Sequence, residues 1–214
     1  MGERPVYVVG AGGHGSVVID ALLCMDVRVA GIVDPRLARD STIFGVLVVG
    51  DDAWLDRCDP AKVLLANGVG RTPHESARQE IFERLERRGF GFIAVRHPSA
   101  AVGRDVTLGD GSQVMAGAVV QCRARIGRNT VINTRASIDH DCTVGDHAFI
   151  GPGATLCGEV TIGSGAFLGA GAIVLPGIAV GERAVVGAGA VVARAVTDGA
   201  RVRGVPARES GAGR

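Results

Sequence analysis

The second half of the sequence contains a repeat with a period of six residues. A branched aliphatic residue occupies every sixth position from 102 to 192 without interruption. These sixteen residues are Val102, Leu108, Val114, Val120, Ile126, Ile132, Ile138, Val144, Ile150, Leu156, Ile162, Leu168, Val174, Val180, Val186 and Val192. Four positions after each of them the residue is nearly always small or β-branched, as at Ala118, Ala136 and Ala154. Neither a helix, with a period of 3.6, nor an ordinary strand, with a period of 2, produces this spacing.

A short strand followed by a corner in every hexad accounts for the repeat. The chain then winds into a β-solenoid whose interior is a stack of aliphatic side chains, and each strand pairs with the coils above and below it. The composition agrees, because glycine is abundant, at 33 of 214 residues, and aromatic residues make up only 4%. We therefore predict an all-β solenoid domain over residues 98–214, with a C-terminal tail.

The sequence favours neither a membrane protein nor a nucleic-acid-binding protein. Residues 160–181 carry no charge and are numerous enough to span a bilayer. The six-residue rhythm continues through this stretch and beyond both ends, which a membrane helix has no reason to do, so we predict no membrane insertion. The formal net charge is +1 and there is no basic block, so we expect no nucleic-acid partner.

The cysteines and the N-terminus favour a cytoplasmic protein. Five cysteines are present, without a CxxC pair, which predicts reduced thiols and no metal site. The first apolar run reaches a glycine-rich loop too soon to leave room for the hydrophobic region of a signal peptide.

Residues 1–97 have a different pattern, in which predicted strands alternate with predicted helices. The helices are expected at 16–25 and 73–88, and the strands at 5–9, 27–33, 46–49, 63–66 and 90–95. This alternation is typical of an α/β unit, and we predict a small Rossmann-like domain.

The loop after the first predicted strand reads GAGGHG, from Gly10 to Gly15. It matches the GxGxxG pattern of dinucleotide-binding proteins, and Asp34 follows at about the distance of their ribose-binding acid. Only half of the double fold that a dinucleotide needs is present, however, because the hexads begin directly afterwards. Backbone N–H groups at a helix start bind phosphate, so the loop fits a nucleotide-linked substrate better than NAD. The alternative is that the glycines only permit tight packing of strand against helix.

Among the five histidines, His140 has the most distinctive setting. It lies between Asp139 and Asp141 in a segment that is otherwise aliphatic and small. A carboxylate beside an imidazole fixes the tautomer and stabilises the imidazolium, which favours a general base. The alternative is a solvated polar corner. Cys142 occupies an inward small-residue position of the repeat, which favours a core role over that of a nucleophile.

The whole chain resembles the bacterial sialic acid O-acetyltransferases and nucleotide-4-amino-sugar N-acetyltransferases, which are hexapeptide-repeat acyltransferases. The matching motifs are GAGGHG, the strand ending at Asp34, LANGVG at 65–70, HPSA at 97–100, INTRASIDHD at 132–141 and GVPAR at 204–208. The resemblance implies a left-handed parallel β-helix with three hexads to a coil, and hence about five coils. It also implies that the Rossmann-like half domain holds a nucleotide sugar, and that the protein is a homotrimer with active sites between subunits.

The resemblance implies roles for individual residues as well. His140 would be the catalytic base, and Asp141 the carboxylate that raises its basicity. The substrate-binding residues would be Gly12, Gly13, His14, Asp34, Gly68, Asn133 and Asp139. Acetyl-CoA would lie along the solenoid, near His147, Phe149, Gly151, Gly169, Ala170, Gly187 and Ala188.

One position departs from the family pattern. The family usually has a second histidine nine residues after the base, where it contacts the acyl donor, and this position is Phe149 here. His147 could take its place if both residues share one face of a strand, whereas a corner between them would break that relation.

The resulting prediction is direct acetyl transfer to the 4-amino group of a nucleotide-linked 4-amino-4,6-dideoxyhexose. His140 would remove a proton from the amine as it attacks the thioester, a donor would hold the oxyanion, and coenzyme A would leave. The alternatives are O-acetylation of a sugar such as sialic acid, a non-catalytic nucleotide-sugar-binding trimer, and a dinucleotide oxidoreductase. The sequence leaves open the nucleotide, the sugar and the acyl group.

Overall fold

The computed structural model describes residues 4–210. The chain forms two compact units, Met1–Pro98 and Ser99–Arg214. Within the described residues, no helix combines the length and the apolar character needed to cross a membrane.

The first unit is built on a six-stranded sheet with the order β3-β4-β2-β1-β5-β6. Its strands are β1 Val6–Val9, β2 Val29–Val33, β3 Thr42–Ile43, β4 Val46–Gly50, β5 Leu64–Asn67 and β6 Gly91–Phe92, and a further short strand is β7 Val95–Arg96. Its helices are α1 Gly13–Cys24, α2 Asp52–Leu55 and α3 Ala77–Arg87, with a 3-10 turn at Pro60–Lys62. All pairs in the six-stranded sheet are parallel except the β3–β4 hairpin. The central strands are runs of buried aliphatic residues, as expected for a parallel sheet.

The predicted α/β architecture is confirmed, but several boundaries differ. Helix α1 begins at Gly13, three residues before the predicted start. The prediction began later because glycine has a low helix propensity, which disfavours a glycine-rich first turn. Helix α3 begins at Ala77, not at residue 73, because Thr72 accepts a backbone hydrogen bond from Glu75 in a turn that places Pro73 at its second position. The predicted strand at 90–95 is two short strands, β6 and β7.

The second unit is a parallel β-solenoid. Strands β8–β23 each have two residues, and the second residue of every strand is one of the sixteen periodic aliphatic residues. These strands are Ala101–Val102, Thr107–Leu108, Gln113–Val114, Val119–Val120, Arg125–Ile126, Val131–Ile132, Ser137–Ile138, Thr143–Val144, Phe149–Ile150, Thr155–Leu156, Thr161–Ile162, Phe167–Leu168, Ile173–Val174, Ala179–Val180, Val185–Val186 and Val191–Val192. Strands β24 Arg201–Arg203 and β25 Arg208–Glu209 form an antiparallel pair after them.

Each solenoid strand pairs in parallel with the strand 18 residues later, as Val120 does with Ile138. Three hexads therefore make one coil, and the strands form three sheets: β8-β11-β14-β17-β20-β23, β9-β12-β15-β18-β21 and β10-β13-β16-β19-β22-β24-β25. The interior is a continuous cluster of the periodic aliphatic residues and the small residues between them. Val102 and Leu108 are only partly buried, since they belong to the first coil.

Glycine after a strand lets neighbouring coils stack closely. A Cβ at Gly127 would lie 2.6 Å from the backbone nitrogen of Asp146 in the next coil. The corner that follows places one residue in the left-handed region, for example Arg123 and Asp141 at φ of 63° and 59°. Corner residues 18 positions apart therefore stack above one another, and their side chains can meet.

Candidate active site

Three consecutive coils contribute to the corner that contains His140. The backbone N–H of Asp141 donates to the carbonyl of Cys122, at 3.2 Å, and that of Glu159 donates to the carbonyl of His140, at 3.0 Å. The coil before His140 thus supplies Arg123 to this corner, and the coil after it supplies Gly158. We call this group of residues the His140 corner.

The carboxylate of Asp141 is bonded to the imidazole of His140. His140 Nδ1 lies 2.8 Å from Asp141 Oδ2. The backbone N–H of His140 donates to Asp139 Oδ1 at 2.8 Å, which fixes the turn that presents the ring. The His140 side chain is 47% exposed, so a substrate can reach it. With a proton on Nδ1 held by the carboxylate, Nε2 is the nitrogen that accepts a proton.

The charges around His140 favour its protonated form. The hydrogen bond that His140 Nδ1 donates to Asp141 is the main cause of a raised His140 pKa, desolvation opposes it, and the charge of Asp139 adds to it. The hydrogen bonds from Arg123, first, and from His140, second, hold the pKa of Asp141 well below its usual range. Asp141 is therefore a carboxylate at neutral pH, and it stabilises the imidazolium that forms when His140 takes a proton.

Gly158 lies against the imidazole on the side of the next coil. A Cβ at this position would lie 2.7 Å from both Cε1 and Nε2 of His140. The ring thus occupies space that any other residue at 158 would fill. The sequence pattern gave no signal for this role, because Gly158 does not follow a strand as the stacking glycines do.

Cys142 is part of the core, as its position in the repeat predicts. Its side chain is fully buried, and Sγ donates to the carbonyl of Cys157 at 3.1 Å. Desolvation raises the pKa of the Cys142 thiol, which disfavours the thiolate that a nucleophile requires.

His147 does not occupy the same strand face as Phe149. His147 has a φ of 59° and lies in the corner before strand β16, which begins at Phe149. Its Nδ1 lies 3.1 Å from Asn129 Nδ2, and its side chain is buried. Phe149 stacks on Phe167 of the next coil, with ring centroids 5.0 Å apart. Because His147 lies in the corner and Phe149 in the strand, the two residues do not share a strand face, and their assignment to acetyl-CoA stays a prediction.

The glycines expected near acetyl-CoA have a structural role of their own. A Cβ at Gly151 would lie 2.6 Å from the carbonyl oxygen of Leu168, and similar clashes with the next coil arise at Gly169. The same clashes arise at Gly103 and Gly127, which follow strands of the other two sheets. Coil stacking therefore explains this glycine pattern. The assignment of Gly151, Gly169, Ala170, Gly187 and Ala188 to acetyl-CoA stays a prediction.

In the first unit, the glycine-rich loop has a packed part and an open part. A Cβ at Gly15 or at Gly68 would collide with the carbonyl oxygen of Gly10, so these glycines permit close packing. At Gly13, by contrast, no described atom outside its own helix and chain neighbours lies within 4 Å of an added Cβ. Gly12 is the N-cap of α1, and the first turn contains no acidic side chain. The open part has the features of an anion-binding helix start.

Asp34 ties the end of β2 to this loop. Its carboxylate is 2% exposed and accepts hydrogen bonds from the backbone of Ala11, at 2.7 Å, and from the backbone and guanidinium of Arg36. Burial alone would raise the pKa of Asp34, but the bonds from Arg36 and Ala11 outweigh it and lower the pKa. Its role as a substrate ligand stays a prediction, as do those of His14 and Gly68.

The sequence motifs did not identify two arginines beside this loop, Arg71 and Arg78. Arg78 is buried, and its Nη1 donates to the carbonyls of Asn67, at 3.0 Å, and Val69, at 2.8 Å. Desolvation, followed by the charge of Arg71, lowers the pKa of Arg78 to about 9. Desolvation also lowers the pKa of Arg71. These residues place positive charge at the 67–71 segment, which contains Gly68.

Two other groups of polar side chains are not among the residues of the His140 corner. Asn133 lies at the preceding corner of the coil, where its Oδ1 accepts from the backbone N–H of Thr134 at 2.7 Å. The ligand atoms of Asp20, Cys24 and His97 lie within 4.8 Å of one another. Asp20 and Cys24 are exposed, and groups of this kind often lie close together without an ion, so we assign no metal to them.

A parallel β-solenoid of hexapeptide repeats with a carboxylate-bonded histidine at a corner defines a hexapeptide-repeat acyltransferase. Family models agree: residues 5–85 match the PglD N-terminal domain, residues 123–158 match the bacterial transferase hexapeptide (six repeats), and residues 159–194 match the hexapeptide repeat of succinyl-transferase.

Solved structures extend the match over the whole chain. A variant of perosamine N-acetyltransferase from Caulobacter crescentus, in complex with CoA and GDP-perosamine, is 38% identical, with a TM-score of 0.89 and 97% of each chain covered. The acetyltransferase domain of PglB from Neisseria gonorrhoeae, in complex with acetyl coenzyme A, is 33% identical, with a TM-score of 0.90, and the match covers 98% of this chain and 100% of that one.

A curated relative, UDP-N-acetylbacillosamine N-acetyltransferase of Bacillus subtilis, is 36% identical over 124 residues. This match spans about half of each protein, 53% of this chain and 52% of the relative. The chain therefore belongs to the nucleotide-amino-sugar N-acetyltransferase family. The comparisons confirm the resemblance inferred from the motifs, and with it the left-handed β-helix and the Rossmann-like half domain.

Proposed function

We propose that this chain transfers the acetyl group of acetyl-CoA to the 4-amino group of a nucleotide-linked 4-amino-4,6-dideoxyhexose. The observation that carries the proposal is the exposed His140 imidazole with its Nδ1 held 2.8 Å from Asp141, on the solenoid of this family. The solved relatives that bind CoA, acetyl coenzyme A and GDP-perosamine support the two substrates.

The geometry of the His140 corner suits direct transfer. The sugar amine attacks the thioester carbonyl, and His140 Nε2 takes the proton that the nitrogen loses as the C–N bond forms. Asp141, ionised through its bonds to Arg123 and His140, stabilises the resulting imidazolium. When the C–S bond breaks, the imidazolium returns the proton to the coenzyme A thiolate. No covalent enzyme intermediate is needed, in keeping with the buried Cys142.

The glycine-rich loop suits the nucleotide. The open backbone at Gly12 and Gly13 provides N–H groups and the positive end of α1 for a diphosphate. Arg71 and Arg78 add positive charge near Gly68. This arrangement supports a negatively charged, nucleotide-linked acceptor over an unlinked neutral amino sugar.

The assembly and the location belong to the same proposal. The homotrimer is supported by the family resemblance and by exposed aliphatic side chains on the solenoid, such as Ile173 and Leu175, which are 37% exposed. A cytoplasmic location is proposed because acetyl-CoA is a cytoplasmic metabolite.

Thiol release from acetyl-CoA tests the proposal, with GDP-perosamine, a UDP-linked 4-amino sugar and sialic acid as acceptors. We expect turnover with an amino sugar and a loss of about 10²- to 10⁴-fold in His140→Ala, the contribution of a general base. His74→Ala is the control, since His74 is an exposed histidine outside the catalytic and binding residues named above. Turnover with sialic acid alone contradicts N-acetylation, and full activity of His140→Ala contradicts the role of the base.

A further inference from the structure

Arg123 donates two hydrogen bonds to the carboxylate of Asp141, which is also bonded to His140. It lies 18 residues before Asp141, at the same corner one coil earlier. Arg123 Nε donates to Asp141 Oδ1 at 2.6 Å, and Nη2 donates to Asp141 Oδ2 at 2.7 Å. Asp141 Oδ2 is also the oxygen 2.8 Å from His140 Nδ1. The carboxylate is thus held by a fork of two parallel hydrogen bonds on one side and by the imidazole on the other.

We infer that Arg123 is a positioning residue for the general base and sets the orientation and basicity of His140 through Asp141. The inference rests on the proposed function for its kinetic consequence. The fork fixes the plane of the carboxylate, because two donors on one planar guanidinium leave it no freedom to rotate. The direction of the bond between Asp141 and His140 Nδ1 then follows, and with it the direction of Nε2.

Arg123 also limits how basic His140 becomes. The titratable groups that act on the imidazole are Asp139 and Asp141 from its own corner and Arg123 from the coil before. Cys122 and Glu159 adjoin the corner through backbone hydrogen bonds. Asp105 faces Arg123 from one coil further back. The positive charge of Arg123 lowers the pKa of His140, opposing the hydrogen bond to Asp141 that raises it. As long as Asp141 stays bonded to His140 Nδ1, loss of Arg123 therefore raises the pKa of His140.

The competing account is that Arg123 and Asp141 only hold two coils together. A second pair in the solenoid provides the comparison: Arg128 and Asp146 are also 18 residues apart, with Nε and Nη2 of Arg128 at 3.0 and 2.9 Å from Asp146 Oδ2. The two pairs are alike as links between coils. They differ because Asp141 contacts His140, whereas Arg128 and Asp146 lie at another corner.

The test is an NMR titration of the histidine ring protons in the full-length protein, with His140→Ala used to assign the His140 signal. We expect Arg123→Gln to raise the pKa of His140 and Arg128→Gln to leave it unchanged. In kinetics, Arg123→Gln should lower kcat/KM by about 10- to 100-fold, which is part of the effect of a general base. The acidic limb of the profile of kcat/KM against pH should move to higher pH. Arg123→Lys keeps the charge but not the fork, so the limb should return toward its wild-type position while the rate recovers only in part.

An unchanged His140 titration in Arg123→Gln overturns the inference. Equal rate losses in Arg123→Gln and Arg128→Gln, with no shift in the acidic limb, also overturn it in favour of a simple link between coils. If Arg123→Gln does not fold, Arg123→Lys decides: wild-type activity of this variant contradicts the need for the fork. The titration does not require turnover, so an inactive wild-type protein contradicts the proposed function while the link between Arg123 and His140 is still measured.

Discussion

The two units of this protein use their residues for binding and chemistry in opposite ways. At the His140 corner, the groups proposed for chemistry are side chains on an exposed turn, and the solenoid core does not contain them. In the glycine-rich loop, the group proposed for binding is the backbone, and the residues beside it hold the unit together: Gly15 and Gly68 lie against Gly10, and Asp34 is buried against Ala11. Changes at the corner should therefore affect activity far more than stability, and changes in the loop should affect both.

The largest stability effect is expected for Gly15→Ala. An alanine normally stabilises a helix relative to glycine, but the new Cβ would collide with the carbonyl oxygen of Gly10, a backbone atom that cannot move without shifting the loop. We expect the free energy of unfolding to fall by about 1–3 kcal/mol, as for other overpacked sites. The protein has one tryptophan, Trp54, which packs against Tyr7 in the first unit, so its fluorescence in urea follows this unit. Stability equal to the wild type would show that the loop has room and would break the comparison.

The reverse pattern is expected for Gly158→Ala. Its Cβ would lie 2.7 Å from the His140 ring, which is exposed and can rotate away, so the clash costs little stability but moves the base. We expect kcat/KM to fall about tenfold, a fraction of the effect of losing the base. Gly158 itself is buried beneath the exposed ring, so the free energy of unfolding should change by about 1 kcal/mol or less as the ring turns to another rotamer.

The control for Gly158→Ala is the same substitution in His140→Ala. Without the ring there is no clash, so the second substitution should have no further effect on the residual rate. A further loss of similar size in this background would mean that Gly158 acts on something other than His140.

The pH dependence sharpens the electrostatic side of the comparison. The base must be deprotonated to act, so kcat/KM falls as pH is lowered through the pKa of His140. The hydrogen bond that His140 donates to Asp141 raises that pKa, and the acidic limb should therefore lie above the unperturbed value of about 6.5. The measurement is kcat/KM against pH with an amino-sugar acceptor. The ring titration of His140 distinguishes the pKa of this histidine from the pKa of the acceptor amine. An acidic limb below about 6.5 would contradict the raised pKa of His140.

The sequence predicts the solenoid more fully than it predicts the first unit, for a physical reason. In the solenoid each residue meets the residues 18 positions away. The six-residue period places Cys142 in the core, and the three-hexad coil that the family resemblance implies stacks position 141 on position 123. In the first unit the contacts follow no period, and the buried Arg78 and the early start of α1 at Gly13 had no local signal. The histidine–carboxylate pair was predictable from its polar setting, whereas the roles of Arg123 and Gly158 depend on which side chains meet across coils.

The smallest effect is expected for Gly13→Ala, two residues from Gly15 in the same helix. An added Cβ at Gly13 meets no described atom within 4 Å outside its helix and neighbours, so the folded unit tolerates it. Relative to glycine, alanine should stabilise the helix by up to about 1 kcal/mol. The methyl group would project where the nucleotide diphosphate is proposed to bind, so the KM for the nucleotide sugar should rise while kcat changes little. Urea unfolding followed by Trp54 fluorescence, together with steady-state kinetics, tests both halves of this expectation. A stabilised protein with an unchanged KM would show that Gly13 has no part in binding. The phosphate would then have to bind at the 67–71 segment instead.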